Sequence, residues 1–114
     1  MTRNEVATEM EKVFEECKEL RTAGQAEYAR REENAFANFE RVGERLKISR
    51  EKTLLCYLEK HLDGIHAHCD GHESQRESVL GRINDAIVYL CLLRGMVVEK
   101  AAIHKEITQG GDFE

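Results

Sequence analysis

Glu77-Ser-Val-Leu-Gly-Arg82-Ile-Asn-Asp85-Ala-Ile-Val-Tyr89-Leu-Cys-Leu-Leu93 decides the fold, because from Val79 onward apolar residues occupy nearly every side of a helix drawn through it. A helix of that kind belongs at the centre of a fold rather than on its surface. Four polar residues of the stretch share one side: at about 100° per residue, Ser78, Arg82, Asp85 and Tyr89 line up as i, i+4, i+7 and i+11. A charged pair on an otherwise apolar helix has to be satisfied. Either Arg82 and Asp85 pair with each other and with neighbouring helices, or they line a pocket that holds a polar ligand.

Outward from this stretch the pattern stays helical. Upstream, Ser74-Gln-Arg-Glu77 reads as a capping box that opens the central helix, and His68-Cys-Asp-Gly-His-Glu-Ser reads as a turn. Before the turn, Ser49 caps a long helix with the stripe Leu54, Leu55, Leu58, Leu62 and Ile65. Along one edge of that stripe lie Tyr57, His61, Gly64 and His68, and Gly64 admits the close approach of a backbone or a ligand. Phe36, Phe39, Val42 and Leu46 predict a short helix, with Gly43 lowering its intrinsic stability. Residues 25–33 are polar around an isolated Tyr28, as in a connecting segment, an exposed helical turn or a mobile flap. From Glu5 to Ala23, the residues Val6, Met10, Val13, Phe14, Cys17 and Leu20 recur at helical spacing, with Asn4 as N-cap and Gly24 as stop. Downstream of Leu93, Gly95 marks a kink, and Met96, Val97, Val98, Ala102 and Ile103 continue the stripe towards a flexible tail from about residue 108.

These elements predict an all-α fold in one domain, residues 1–114: a compact helical bundle of three long helices plus one short helix. The absence of Pro and the 34% charged content agree with that class. A chain of this length buries roughly 65% of the surface its unfolded form exposes, enough for a modest core. The net charge is −5, from 17 basic and 22 acidic residues, with no cluster of five basic residues, so nucleic acid is excluded as a partner. A phosphorylated small molecule needs only a few local cations and stays open. The sequence starts without an apolar signal region, and no run is long enough to span a bilayer, which predicts a soluble, cytoplasmic protein with no membrane partner. Cys17, Cys56, Cys69 and Cys91 have no CxxC spacing and read as small buried apolar residues rather than a disulfide framework. The stripe that continues past Gly95 exceeds the needs of so small a core, which predicts a homo-oligomer.

Three constellations carry chemistry. His66-x-His68-Cys69-x-x-His72 has the donor types of a zinc site, but residues two apart on a helix diverge, so His66 and His68 converge only where the helix has ended. Glu15-Glu16-x-x-Glu19 matches half of a carboxylate pattern for Mg²⁺; on a regular helix only Glu16 flanks the apolar stripe, and the other two belong to a solvated acidic face. The third set is Asn34 with Asn38, Lys60 with His61, and Arg82 with Asp85 and Tyr89. An arginine offers a fork for phosphate, lysine and histidine offer point donors, and asparagine amides suit base or ribose edges. Asn34 and Asn38 also read as a cap and an exposed position, and Arg82 with Asp85 as a buried structural pair.

Asn34-Ala-Phe-Ala-Asn-Phe39, Lys60-His61-Leu-Asp63 and Glu77-x-x-x-Gly-Arg-Ile-x-Asp85-x-x-x-Tyr-Leu90 resemble a family of small bacteriophage proteins similar to the phage nucleotide-modification-associated domain. The likeness covers about residues 13–94 and implies a phage origin and a helical fold concerned with nucleotides. A looser likeness is to the MazG-type all-α NTP pyrophosphatases, whose E-E-x-x-E and E-x-x-D helices hold Mg²⁺ around a triphosphate. Glu15, Glu16 and Glu19 match the first motif and Asp85 the end of the second, but Arg82 stands where that motif needs a carboxylate. The substitution favours direct phosphate binding over metal-assisted hydrolysis.

The expectation is therefore a phage-encoded, oligomeric module in the host cytoplasm that captures a nucleotide or cyclic nucleotide, sequestering a host immune signal without a cofactor. Arg82 takes the phosphate, Asp85 holds Arg82 or a ribose hydroxyl, Lys60 and His61 add donors, and Asn34, Asn38 and Tyr89 orient the base. An alternative is an Mg²⁺-dependent nucleoside-triphosphate pyrophosphohydrolase, or an accessory factor in nucleotide modification, using Glu16, Glu19 and Asp85. A third reading is a structural or partner-binding phage protein with no small ligand.

Overall fold

A computed structural model of the chain describes residues 1–24, 34–73 and 77–107. Within them are three long helices and one short one, α1 (Arg3–Gly24), α2 (Ala37–Leu46), α3 (Arg50–Cys69) and α4 (Val79–Ile107), and no strand, as the periodicity predicts. The expectations for residues 25–33, for Ser74 as a cap and for the tail from residue 108 lie outside the described residues.

Three of the four helices start where a side chain satisfies their free N–H groups, and α2, entered through Phe36, has no such cap. Thr2 Oγ1 accepts from Glu5 N at 3.1 Å while Thr2 N donates to Glu5 Oε2 at 3.0 Å, a reciprocal box that places the cap two residues before Asn4. Ser49 Oγ accepts from Lys52 N at 3.1 Å, as expected. For α4 the cap is Ser78, whose Oγ accepts from Gly81 N at 3.0 Å, so Glu77 lies just outside the helix instead of inside its first turn. The end of α2 is closed by Lys47 in the left-handed region (φ 61°), with Ile48 N donating to Gly43 O at 3.0 Å.

α4 takes α3 on one side and α1 on another, and α2 packs on α3. The α3–α4 pair is antiparallel: Arg50 meets Met96 and Glu99, His61 meets Asp85 and Tyr89, and Gly64 meets Arg82. Phe39, Leu54 and Met96 form the centre of the core, with Leu54 and Met96 0% exposed, and Phe36, Tyr57, Tyr89, Leu92 and Leu93 close around them. Fully burying a side chain of this size contributes about 1.5–3 kcal/mol. On the α1 side, Cys17 is buried against α4, its thiol 3.5 Å from Asn84 O.

Two helices do not cover α4 all round. Leu80, Leu90, Val97, Val98 and Ile103 remain exposed, and of the α1 stripe Cys17 alone is buried while Val6, Met10, Phe14 and Leu20 are each more than two-fifths exposed. Leu55 also points outward, because α2 and α4 pack on the side of α3 that carries Leu54 and Leu58. The cysteines part company in the same way: all four are free thiols, and Cys56, Cys69 and Cys91 are exposed rather than buried. Gly95 does not end or interrupt α4, which runs continuously through it; its missing Cβ leaves room for the Phe36 ring, whose Cζ would lie 3.0 Å from a side chain there. Among the described residues no helix is long and apolar enough to cross a membrane.

Candidate functional site

On α3, Tyr57, Lys60, His61 and Gly64 succeed one another at i, i+3, i+4 and i+7; on α4, Tyr89, Asp85 and Arg82 run in the opposite direction at the same spacing. Antiparallel packing brings the two rows together. Phe39 of α2 backs them, its ring 5.6 Å from Tyr57 and 6.1 Å from Tyr89, and Tyr89 in turn lies 5.4 Å from the His61 ring. Between the rows opens a cleft of about 220 Å³ lined by Cys56, Tyr57, Lys60, His61 and Tyr89.

The polar groups one turn further along are incompletely satisfied. His61 is only 6% exposed, and its Nδ1 has no hydrogen-bond partner among the described residues; Asp85 Oδ2 lies 3.6 Å away, beyond hydrogen-bond reach. Arg82 lies flat across Gly64, so that a Cβ there would come within 2.4 Å of its Cδ and Nε. Its Nη1 is 3.6 Å from Glu77 Oε2, and its buried Nε is likewise without a partner among the described residues. Each such group costs the fold about 1–3 kcal/mol while it stays unpaired.

Of the residues expected to act together, Lys60, His61 and Tyr89 line the cleft, and Arg82 and Asp85 sit on the next turns of α4. The direct Arg82–Asp85 pair does not form: Asp85 faces His61, and Arg82 faces Glu77. Asn34 and Asn38 are not part of the group. Asn34 accepts from Phe36 N at 3.0 Å and donates to Glu40 Oε1 at 2.9 Å, which shapes the entry to α2, and Asn38 accepts from Arg41 Nη2 at 2.9 Å on the helix surface. Their amides are thus used in local structure.

The acidic motif on α1 divides as its helix geometry dictates. Glu15 and Glu19 are exposed, and the half-buried Glu16 accepts from Asn84 Nδ2 at 2.9 Å, tying α1 to α4. Asp85 converges instead with His61 and Glu77: one donor atom from each lies within 4.8 Å of the other two, the sole metal-ligating group of this kind among the described residues. Glu77 was not singled out by the sequence reading as a site residue; the signal was its place in the same block as Arg82 and Asp85. His66 and His68 do not converge, because α3 continues to Cys69 and carries both on an exposed helical surface. Near Asp85, burial pushes the Cys17 thiol above its ordinary value, with the Cys91, Glu16 and Asp85 charges adding to the rise.

At the opposite end of the same helix pair Arg50 is fully engaged. Its Nη1 is 2.8 Å from Glu40 and 3.0 Å from Glu99, its Nε is 3.7 Å from Glu51, its Nη2 is 3.5 Å from Met96 O, and its guanidinium covers the Phe36 ring at 5.0 Å. Burial alone pulls this guanidinium down, but the hydrogen bonds to Glu99 and Glu40 outweigh it and hold the group above its ordinary value. On the α1 side, Arg21 donates to Ala35 O at 3.0 Å, and burial lowers its pKa. No family model, curated protein or solved structure matches the chain, so the geometry of the site itself is what bears on its function.

Proposed function

We propose that the chain is a binding module for a phosphorylated small molecule of the nucleotide class, held in the α3–α4 cleft and not turned over. The observation that supports it is the Nε of Arg82, without a hydrogen-bond partner among the described residues, one turn from a cleft with two tyrosine walls and Lys60 in its lining. A guanidinium with a free N–H suits phosphate oxygens, Lys60 adds a second cation, and Tyr57 and Tyr89 offer aromatic surface to a base. At about 220 Å³ the cleft is smaller than the roughly 300–1,000 Å³ usual for a complete small-molecule pocket. It therefore suits one nucleoside unit, with the phosphates reaching towards Arg82.

The exposed apolar residues of α1 and α4 support assembly into a homo-oligomer, which would enlarge the cleft or close it. The resemblance to the phage nucleotide-modification-associated domain supports a bacteriophage setting, and capture without turnover is what sequestering a host signal requires. The hydrolase reading is favoured less, since Glu19 is exposed, Glu16 is taken up by the Asn84 amide, and neither joins the group that Asp85 forms with His61 and Glu77.

The test is incubation with nucleoside triphosphates and cyclic mono- and oligonucleotides, followed by chromatography of the filtrate and of the heat-denatured protein. The expected outcome is one ligand depleted from the filtrate and recovered intact, with a rise of about 2.7 kcal/mol in stability at 100 times its Kd. Arg82→Ala and Lys60→Ala should abolish or weaken depletion. Recovery of a new product, or a panel that leaves every nucleotide in the filtrate, overturns the reading.

A further inference from the structure

We infer that His61, Glu77 and Asp85 form a binding site for one divalent transition-metal ion at the end of the cleft. The three side chains come from α3, from the residue before the α4 cap and from α4 itself, and one donor atom of each lies within 4.8 Å of the others. Ligand atoms 2.0–2.2 Å from a common ion are about 3–4 Å apart, so closing the site takes side-chain adjustments of an ångström or so. Glu77 and Asp85 can make them, with 46% and 36% of their side chains exposed.

The second observation is His61 itself. Its ring is held in the core beside Tyr89, and Nδ1 is buried, 3.6 Å from the Asp85 carboxylate and without a hydrogen-bond partner among the described residues. An ion lying between the three groups would satisfy that nitrogen in its neutral form and the two carboxylates together. Their summed charge of −2 would balance a divalent cation.

One imidazole nitrogen and two carboxylate oxygens are a mixed donor set. Imidazole favours Zn²⁺, Fe²⁺ and similar ions, whereas Mg²⁺ and Ca²⁺ prefer oxygen alone. The site accordingly selects Zn²⁺, Mn²⁺ or Fe²⁺ over Mg²⁺. Arg82 Nη1 lies 3.6 Å from Glu77 Oε2, so its guanidinium can hold that carboxylate in place from outside the coordination shell. Three protein donors leave further coordination positions open. The assignment stands apart from nucleotide capture, because it rests on donor geometry and is tested with metal alone.

The probe is Co²⁺, followed by its visible absorption during titration of the full chain under reducing conditions, with Zn²⁺ competition and Mg²⁺ as the contrast. The expected result is one Co²⁺ per chain, displaced by Zn²⁺ and not by equimolar Mg²⁺. The signal should fall at least tenfold in apparent affinity in Asp85→Asn and in Glu77→Gln. Glu77 lies outside α4 and half in solvent, so Glu77→Gln keeps the test valid if the Asp85 variant fails to fold. His66→Gln with His68→Gln should leave the spectrum unchanged. Absence of a Co²⁺ spectrum overturns the site, as does one that survives Glu77→Gln and disappears with the His66 and His68 changes.

Discussion

Arg50 and Arg82 sit at opposite ends of the same antiparallel helix pair, at similar exposure (16% and 18% of their side chains), and they are treated differently. Arg50 has Glu40 and Glu99 within 3.0 Å, a carbonyl and an aromatic face. Among the described residues Arg82 has one carboxylate at 3.6 Å and a buried Nε without a hydrogen-bond partner, and the neighbouring His61 Nδ1 is in the same position. A charge surrounded by partners fastens three helices together. A charge left partly unpaired costs the fold something at rest and has bonding capacity to offer, so incomplete satisfaction separates a candidate site from a structural ion pair where residue type does not.

The largest effect expected from this contrast is at Arg50. Arg50→Ala strands Glu40 and Glu99 and uncovers Phe36, and should cost about 2–3 kcal/mol in denaturant unfolding. An equal loss from Arg82→Ala would remove the distinction. Two glycines sharpen it next. At Gly43 a Cβ would meet Thr53 Oγ1 at 2.8 Å and the backbone carbonyl of Ile48 at 2.9 Å; the carbonyl belongs to the turn that closes α2 and cannot step aside. Gly43→Ala should therefore cost about 1–3 kcal/mol, again read by denaturant unfolding. At Gly64 the clash is even closer on paper, but it is with the outer half of a flexible arginine. Gly64→Ala should change stability by less than about 1 kcal/mol, helped by the better helix propensity of alanine, while nucleotide capture measured by depletion falls as far as in Arg82→Ala. A large stability loss from Gly64→Ala, or capture that stays intact, would mean that the pose of Arg82 over α3 serves packing and not binding.

Much of this was legible in the sequence, and the parts that were not share a cause. Periodicity found all four helices, the Leu54 and Leu58 stripe, the Tyr57, His61 and Gly64 edge of α3 and the Arg82, Asp85 and Tyr89 side of α4, because each depends on spacing along one helix. Caps were harder, since Thr2 and Asn4, like Ser74 and Ser78, are competing N-cap types a few residues apart, and the choice turns on where the backbone first becomes helical. The amides of Asn34 and Asn38 could serve a ligand or the local backbone equally well, and only the folded chain shows Glu40, Phe36 and Arg41 beside them. Cys56, Cys69 and Cys91 read as buried from their residue type and, for Cys56 and Cys91, their place in helical patterns, yet among the described residues the helices do not cover every apolar face. Arg50 carried no signal of its joint: its two closest carboxylates are ten residues before it and forty-nine after it, in elements whose meeting no local pattern encodes.

Fastening α3 to α4 at Arg50 also gives the pair a mechanical character. From Arg50 to Gly64 is fourteen residues, about 21 Å of helix, so the Arg50 cluster is a fulcrum and the Arg82 end is the tip of a lever. A tilt of one degree at the fulcrum would move the tip by about 0.4 Å over that length of helix. Rotation about that joint would therefore change the 3.6 Å separation of His61 and Asp85 more than it moved the core around Leu54 and Met96, which lies close to the fulcrum.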